Sequence, residues 1–114
     1  MSLLLFKKEF ANAIRLGRKT TTLRRWARPR VSVDRRAFAP GIGWLFIEAV
    51  DQVDLKALSE SDASSDGFAN AAAMLQMLES LYPPAAMDGK HWYRVRFRAD
   101  ELLPLSSLSN RGSA

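Results

Sequence analysis

The 114-residue chain has no cysteine. Neither a disulfide framework nor a thiolate metal site can be part of it. The single histidine, His91, leaves little from which to build a zinc site. No apolar run approaches the roughly 20 residues of a membrane-spanning helix. Leu3-Leu4-Leu5-Phe6 is apolar for only four residues before Lys7. It has no basic region ahead of it and no cleavage pattern, so it does not read as a secretory signal. The expectation is a cytoplasmic chain with no membrane segment, no metal and no other cofactor.

What is present is ordinary for a globular protein, with 47% hydrophobic and 25% charged residues. The length argues for one domain with a single modest core. We place it at residues 1–103, followed by a polar, serine-rich tail at 104–114 expected to be mobile. The charge is less ordinary. The net value is +5, and it is segregated. Residues 15–36 hold nine Lys or Arg and one acid, residues 37–89 eight acids and one base, and residues 90–111 five bases and two acids. A basic stripe with an acidic middle is an electrostatic footprint for a polyanion, whereas solubility alone needs no segregation.

Periodicity gives the elements. Residues 3–5 read as a short strand. Phe6, Phe10, Ala13 and Ile14 recur at helical spacing, which predicts an amphipathic helix at 7–16 closed by Gly17. Residues 20–25 read as a strand and residues 31–39 as a weaker one. Residues 44–53 read as the longest strand, with Leu45, Ile47 and Ala49 on one face. Residues 55–65 read as a short helical stretch capped by its own Ser and Asp residues. Asn70 is a natural N-cap for a helix at 71–81, whose stripe of Met74, Leu75, Leu78 and Leu81 reads as core packing. Pro83-Pro84 would stop that helix, and residues 91–98 form the last strand. No internal repeat is visible.

The densest stretch is Gly17-Arg18-Lys19-Thr20-Thr21-Thr22-Leu23-Arg24-Arg25. Glycine takes a left-handed helix cap without steric cost, and β-branched threonines then favour a strand. If Leu23 faces a core, alternation sends Thr20, Thr22 and Arg24 to the opposite face, below Lys19. A cation, two hydroxyls and a guanidinium on one surface suit an anion or a nucleobase. The plainer reading is a solvated face on an ordinary strand.

Gly17-x-Lys19-x-x-x-x-Arg24 resembles the GxKxxxxR signature of the ASCH family, small RNA-associated domains with a PUA-like β-barrel. The helix at its front agrees. So does an acidic segment, Asp62-Ala63 and Asp66-Gly67-Phe68. So does an ending of Leu81-Tyr82-Pro83 followed by Trp92-Tyr93-Arg94-Val95-Arg96-Phe97. The resemblance covers roughly residues 3–98. It implies an α+β fold: a small PUA-like barrel of about five or six mostly antiparallel strands with two or three helices. Some members look like amidohydrolases that remove acyl groups from the exocyclic nitrogen of cytidine, using a lysine and a threonine of the signature and a glutamate of the acidic segment. Others are ribonucleases or RNA binders.

By that resemblance Lys19, Thr22 and Asp66 are candidate catalytic groups. Asp66 stands one methylene shorter than the family's glutamate, and it reads equally well as a turn or capping residue. Lys19 among arginines is read either as a base of lowered pKa or as a phosphate contact. The candidate ligand surface is Gly17, Lys19, Thr20, Thr22, Arg24, Arg25, Trp26 and Arg28. Trp26 and Trp92 are read as stacking platforms or as core. His91 takes no role. The leading expectation is binding of RNA or of a nucleoside or nucleotide in a basic cleft. A metal-independent hydrolase using the same cleft is the alternative. A third class is an interaction module whose basic stripe meets an acidic partner. Convergence of Lys19, Thr22 and Asp66 favours the enzyme, and an open basic groove favours RNA binding.

Overall fold

A computed structural model describes residues 2–81 and 89–100. The expected Pro83-Pro84 stop, Tyr82 and Pro83 of the family ending, and the tail at 104–114 lie outside them. Five strands form one curled, mostly antiparallel sheet, a half-barrel. They are β1 (Ser2–Leu3), β2 (Thr21–Trp26), β3 (Arg36–Ala39), β4 (Gly43–Gln52) and β5 (His91–Ala99). Their order is β1-β3-β4-β5-β2, so β2 is an edge strand. Three α-helices accompany the sheet: α1 (Ala11–Arg15), α2 (Glu60–Ser65) and α3 (Ala71–Leu81). Among the described residues no helix is long and apolar enough to cross a membrane.

The helix expected at 7–16 is a 3-10 turn, Lys8–Phe10, running into the short α1. Gly17 ends it as its sequence position demands. Its φ is +77°, its N–H donates to Ile14 O at 3.1 Å, and that of Arg18 donates to Ala13 O at 2.9 Å. This is the paired-bond glycine cap of a Schellman motif, and it delivers the chain directly to Lys19.

The stretch at 55–65 is two elements rather than one. A 3-10 turn, Leu55–Ala57, is capped by the Asp54 side chain, and α2 restarts behind a Ser59–Asp62 capping box. Asn70 caps α3 by accepting from the Ala73 N–H at 2.8 Å.

Two apolar clusters lie on the two faces of the sheet. One holds Leu4, Ile14, Leu45, Ile47, Val95 and Phe97 among its buried members. The other joins Leu23 of β2 to Ala63 of α2 and to Met74 and Leu78 of α3, as the helical stripe implied. Leu81, the last residue of that stripe, is exposed instead. In β4 the expected face of Leu45, Ile47 and Ala49 holds only for its first two residues. A bulge between Ile47 and Ala49 shifts the register, so that Ala49 pairs with Arg96 and Val50 with Val95. One extra residue exchanges the faces downstream, and Val50 packs on the core in place of Ala49.

Candidate active site at the edge of the sheet

The strand at the edge begins at Thr21, one residue later than expected. Thr20 sits at the corner with both backbone groups used. Its N–H donates to Ser65 O at 2.8 Å and its carbonyl accepts from Phe97 N–H at 2.9 Å. Thr20 lines a different concavity, with Ile14 and Phe97. Thr20 is therefore not brought together with Thr22 and Arg24.

Lys19 is almost wholly buried, with 3% of its surface exposed. Its ammonium donates to the backbone carbonyl of Asp66 and lies 3.4 Å from Asp66 Oδ2. It also sits 4.8 Å from the centre of the Phe10 ring. Asp66 is equally buried, at 4%, and its Oδ1 accepts from Thr21 Oγ1 at 3.1 Å. Asp66 ends α2 as its C-cap residue, while its side chain turns to Lys19 and Thr21. The chain turns sharply afterwards at Gly67, with φ +93°, and passes along the stem of Lys19. A Cβ added at Gly67 would stand 3.5 Å from Lys19 Cδ.

Thr22 and Arg24 share a face of β2, and Arg24 Nε donates to Thr22 Oγ1 at 3.0 Å. Arg24 Nη2 also donates to Leu5 O at 2.6 Å, and its guanidinium lies 4.9 Å from the Phe6 ring centre. The edge strand is thus gripped from both sides: Arg24 by residues 5 and 6, Thr21 and Lys19 by the end of α2.

Lys19, Thr22, Arg24 and Asp66 line one pocket of about 200 Å³, closed by Phe6, Phe10, Phe68 and Met77 among others. Burial pushes the Lys19 pKa down, against the opposing pull of the Asp66 charge. Burial likewise pushes Asp66 up, against Lys19 and the Thr21 hydroxyl. Both partners are drawn toward their neutral forms. A lysine and a carboxyl in contact, each made easier to neutralise by burial, can pass a proton between them or to a third group in the pocket.

The remaining candidates are dispersed. Gly17 shapes the corner before the pocket. Arg25 lies on the face of Leu23 and lines a separate concavity with Trp92. Trp26 packs against Tyr93, ring centres 6.2 Å apart, and Arg28 is exposed beyond the end of β2. Sequence reasoning missed Thr21, which holds Asp66. The signal was available: alternation put Thr21 on the face of Leu23, the face that α2 covers. It also read Phe6 and Phe10 only as apolar spacing of a helix, although each faces a cation of the pocket. Among the described residues no three His, Asp or Glu side chains gather as a metal site would require.

No protein-family model and no curated protein matches this chain. Solved structures share its fold. The hypothetical protein PH0355 superimposes with a TM-score of 0.67 at 9% identity, covering 82% of this chain and 94% of that one. Protein EF3133 from Enterococcus faecalis V583 gives 0.60 at 13%, with 86% and 80% covered. The S128A mutant of ZmASCH from Zymomonas mobilis gives 0.60 at 21%, with 85% of this chain covered. This chain spans 66% of that longer protein. What the chain shares with all three is the small half-barrel that carries the pocket.

Proposed function

We propose that this is an ASCH-type domain whose pocket takes a nucleobase-bearing ligand and hydrolyses an acyl group from its exocyclic nitrogen, as from an N4-acylated cytidine. The observation that carries the reading is the convergence of Lys19, Thr22 and Asp66 on one pocket, with the lysine and the carboxyl buried and touching. A lysine serving only to contact RNA phosphates gains nothing from burial beside a carboxylate. A volume of about 200 Å³ lies below the roughly 300–1,000 Å³ of drug-sized sites. It suits one planar base and a short acyl group.

In this reading the neutral Lys19 amine takes the proton of Thr22 Oγ1. The oxygen attacks the acyl carbon and the negative charge passes to the acyl carbonyl oxygen, while Arg24 Nε, already donating to Oγ1, holds that hydroxyl in place for the attack. The acyl C–N bond breaks, and Lys19 returns the proton to the departing exocyclic nitrogen. Water then cleaves the threonine ester with Lys19 again as base; the acyl C–O bond breaks, the proton passes from Lys19 to Thr22 Oγ1, and the carboxylic acid is released. Asp66 positions the lysine throughout, and Thr21 positions Asp66. A threonine needs such a base at hand to be nucleophilic at all.

The test is release of cytidine from N4-acetylcytidine by purified protein. Wild type is expected to turn over, and Lys19→Ala and Thr22→Ala to lose about a hundredfold or more in kcat/KM, the usual scale for a general base. No release by wild type removes the hydrolase reading. Equal turnover by Lys19→Ala removes the assignment of the base.

A further inference from the structure

Beside the pocket lies a second concavity of about 440 Å³, lined by Lys7, Lys8, Asn12, Arg15, Phe6 and Ile42 among others. Phe6 and Lys7 line both, so the two concavities share a wall. The electrostatics of this second concavity set it apart. Its lining contains three cations and no carboxylate. The concavity around Arg25 and Trp92 includes Asp54 and Glu79, that around Thr20 and Phe97 includes Asp100, and the pocket itself includes Asp66.

From this we infer that the concavity of Lys7, Lys8 and Arg15 is a phosphate subsite, so that the ligand of the neighbouring pocket is a nucleotide or a nucleotide residue of RNA rather than a free nucleoside. The inference rests on the nucleobase reading of the pocket. Cations without a competing carboxylate attract an anion over their full charge. The residues also have the right donors. Lysine ammoniums act on phosphate as point charges, and Asn12 offers an amide N–H₂. Arg15 carries five N–H donors; one nitrogen, Nη2, donates to Gly41 O, which pins the guanidinium against the loop after β3. A base seated in the pocket beside Phe6 and Lys7 would have its sugar-phosphate next to the wall that the two concavities share, toward these cations.

The test compares cytidine, cytidine 5′-monophosphate and a short cytidine-containing oligoribonucleotide by calorimetric titration into the full chain at low salt. Both phosphate-bearing ligands should bind at least about tenfold more tightly than cytidine, the scale of one charge-assisted contact. The gain should shrink as salt is added. Lys8→Gln/Arg15→Gln, at two cations that line this concavity and not the pocket, should abolish it while leaving cytidine affinity unchanged. Both side chains are exposed, so the fold is not at risk. An oligoribonucleotide that outbinds the monophosphate, through the same two cations, identifies RNA as the source of the phosphate. Equal binding of the two identifies a free nucleotide. Cytidine and its monophosphate binding equally would overturn the subsite and leave the pocket reading standing. A phosphate advantage that survives the double substitution overturns it too. Absence of binding by all three would overturn the pocket reading together with the subsite.

Discussion

Asp62 and Asp66 lie four residues apart at the two ends of α2 and have opposite chemistry. Asp62 sits in the first turn, where its Oδ2 accepts the Ser59 backbone N–H at 2.7 Å. Its Oδ1 accepts from Arg94 Nη1 at 2.8 Å, with the side chain 28% exposed. The Ser59 backbone N–H, with Arg94 adding to it, holds the Asp62 carboxyl below the usual carboxylate range. Asp66 closes the same helix, where the backbone offers carbonyls instead of N–H groups, and burial raises its pKa. One carboxyl is placed where ionisation is easy and the other where it is hard. The first is what holding a helix requires. The second is what a proton-handling site requires, and only the second lines the pocket.

The comparison can be broken most forcefully at the buried pair. Lys19→Met removes one partner and should cost about 3–5 kcal/mol, because it strands a buried carboxyl. Lys19→Met/Asp66→Leu should return to within about 1–2 kcal/mol of wild type, since apolar replacement of a buried pair is often close to neutral. It should nonetheless remain inactive. Urea denaturation and N4-acetylcytidine turnover, measured on the same samples, check both halves. A double variant as unstable as the single one would mean that the pair is retained for folding. The next effect is smaller. Asp62→Ala should cost about 0.5–2 kcal/mol, the usual loss on removing a helix cap, and leave kcat/KM unchanged. A substantial loss of turnover would erase the functional distinction between the two ends of α2.

The smallest effect is in the pH dependence, and its sign separates the two groups. Asp62, lowered in the folded state, contributes stability that is full above its unfolded pKa and lost as pH falls through the folded value. Asp66, raised in the folded state, keeps its proton just above the ordinary carboxylate range while the unfolded chain has released its own. Stability attributable to Asp66 therefore declines as pH rises through that window. Over about pH 3–6, Asp62→Asn should make the rise of stability with pH shallower, and Asp66→Asn should make it steeper. Slopes that change in the same direction would contradict the assigned shifts.

How much of this was legible in the chain depended on the range of the cause. The cap at Gly17, the helix Ala71–Leu81 and the burial of Met74 and Leu78 were legible because each follows from residues within a turn or two. The exchange of Ala49 for Val50 was not, since nothing in the residues of β4 announces a bulge whose partner, β5, lies more than 40 residues on. Lys19, Thr22 and Asp66 were named as candidates through their resemblance to a family signature. Their arrangement was beyond reach, because the contact of Thr21 with Asp66 spans 45 residues and depends on how α2 packs on the edge strand. Thr20 accepts the Phe97 N–H next along the β2–β5 ladder and lies at another concavity than Thr22 and Arg24, a separation that alternation alone does not give.

The position of β2 at the rim of the sheet has a consequence for solubility as well as for chemistry. An edge strand offers unpaired backbone groups to any other extended chain, and proteins blunt such edges with charge or cover. Here Arg24 reaches out to Leu5 O, Thr21 to Asp66, and the Thr20 N–H to Ser65 O. Arg24 and Asp66, which line the pocket, thus also take part in covering the rim. A substitution that empties the pocket uncovers a template for strand addition, so loss of function and a tendency to self-associate should arrive together. In this protein the pocket and the guard of the sheet edge share Arg24 and Asp66.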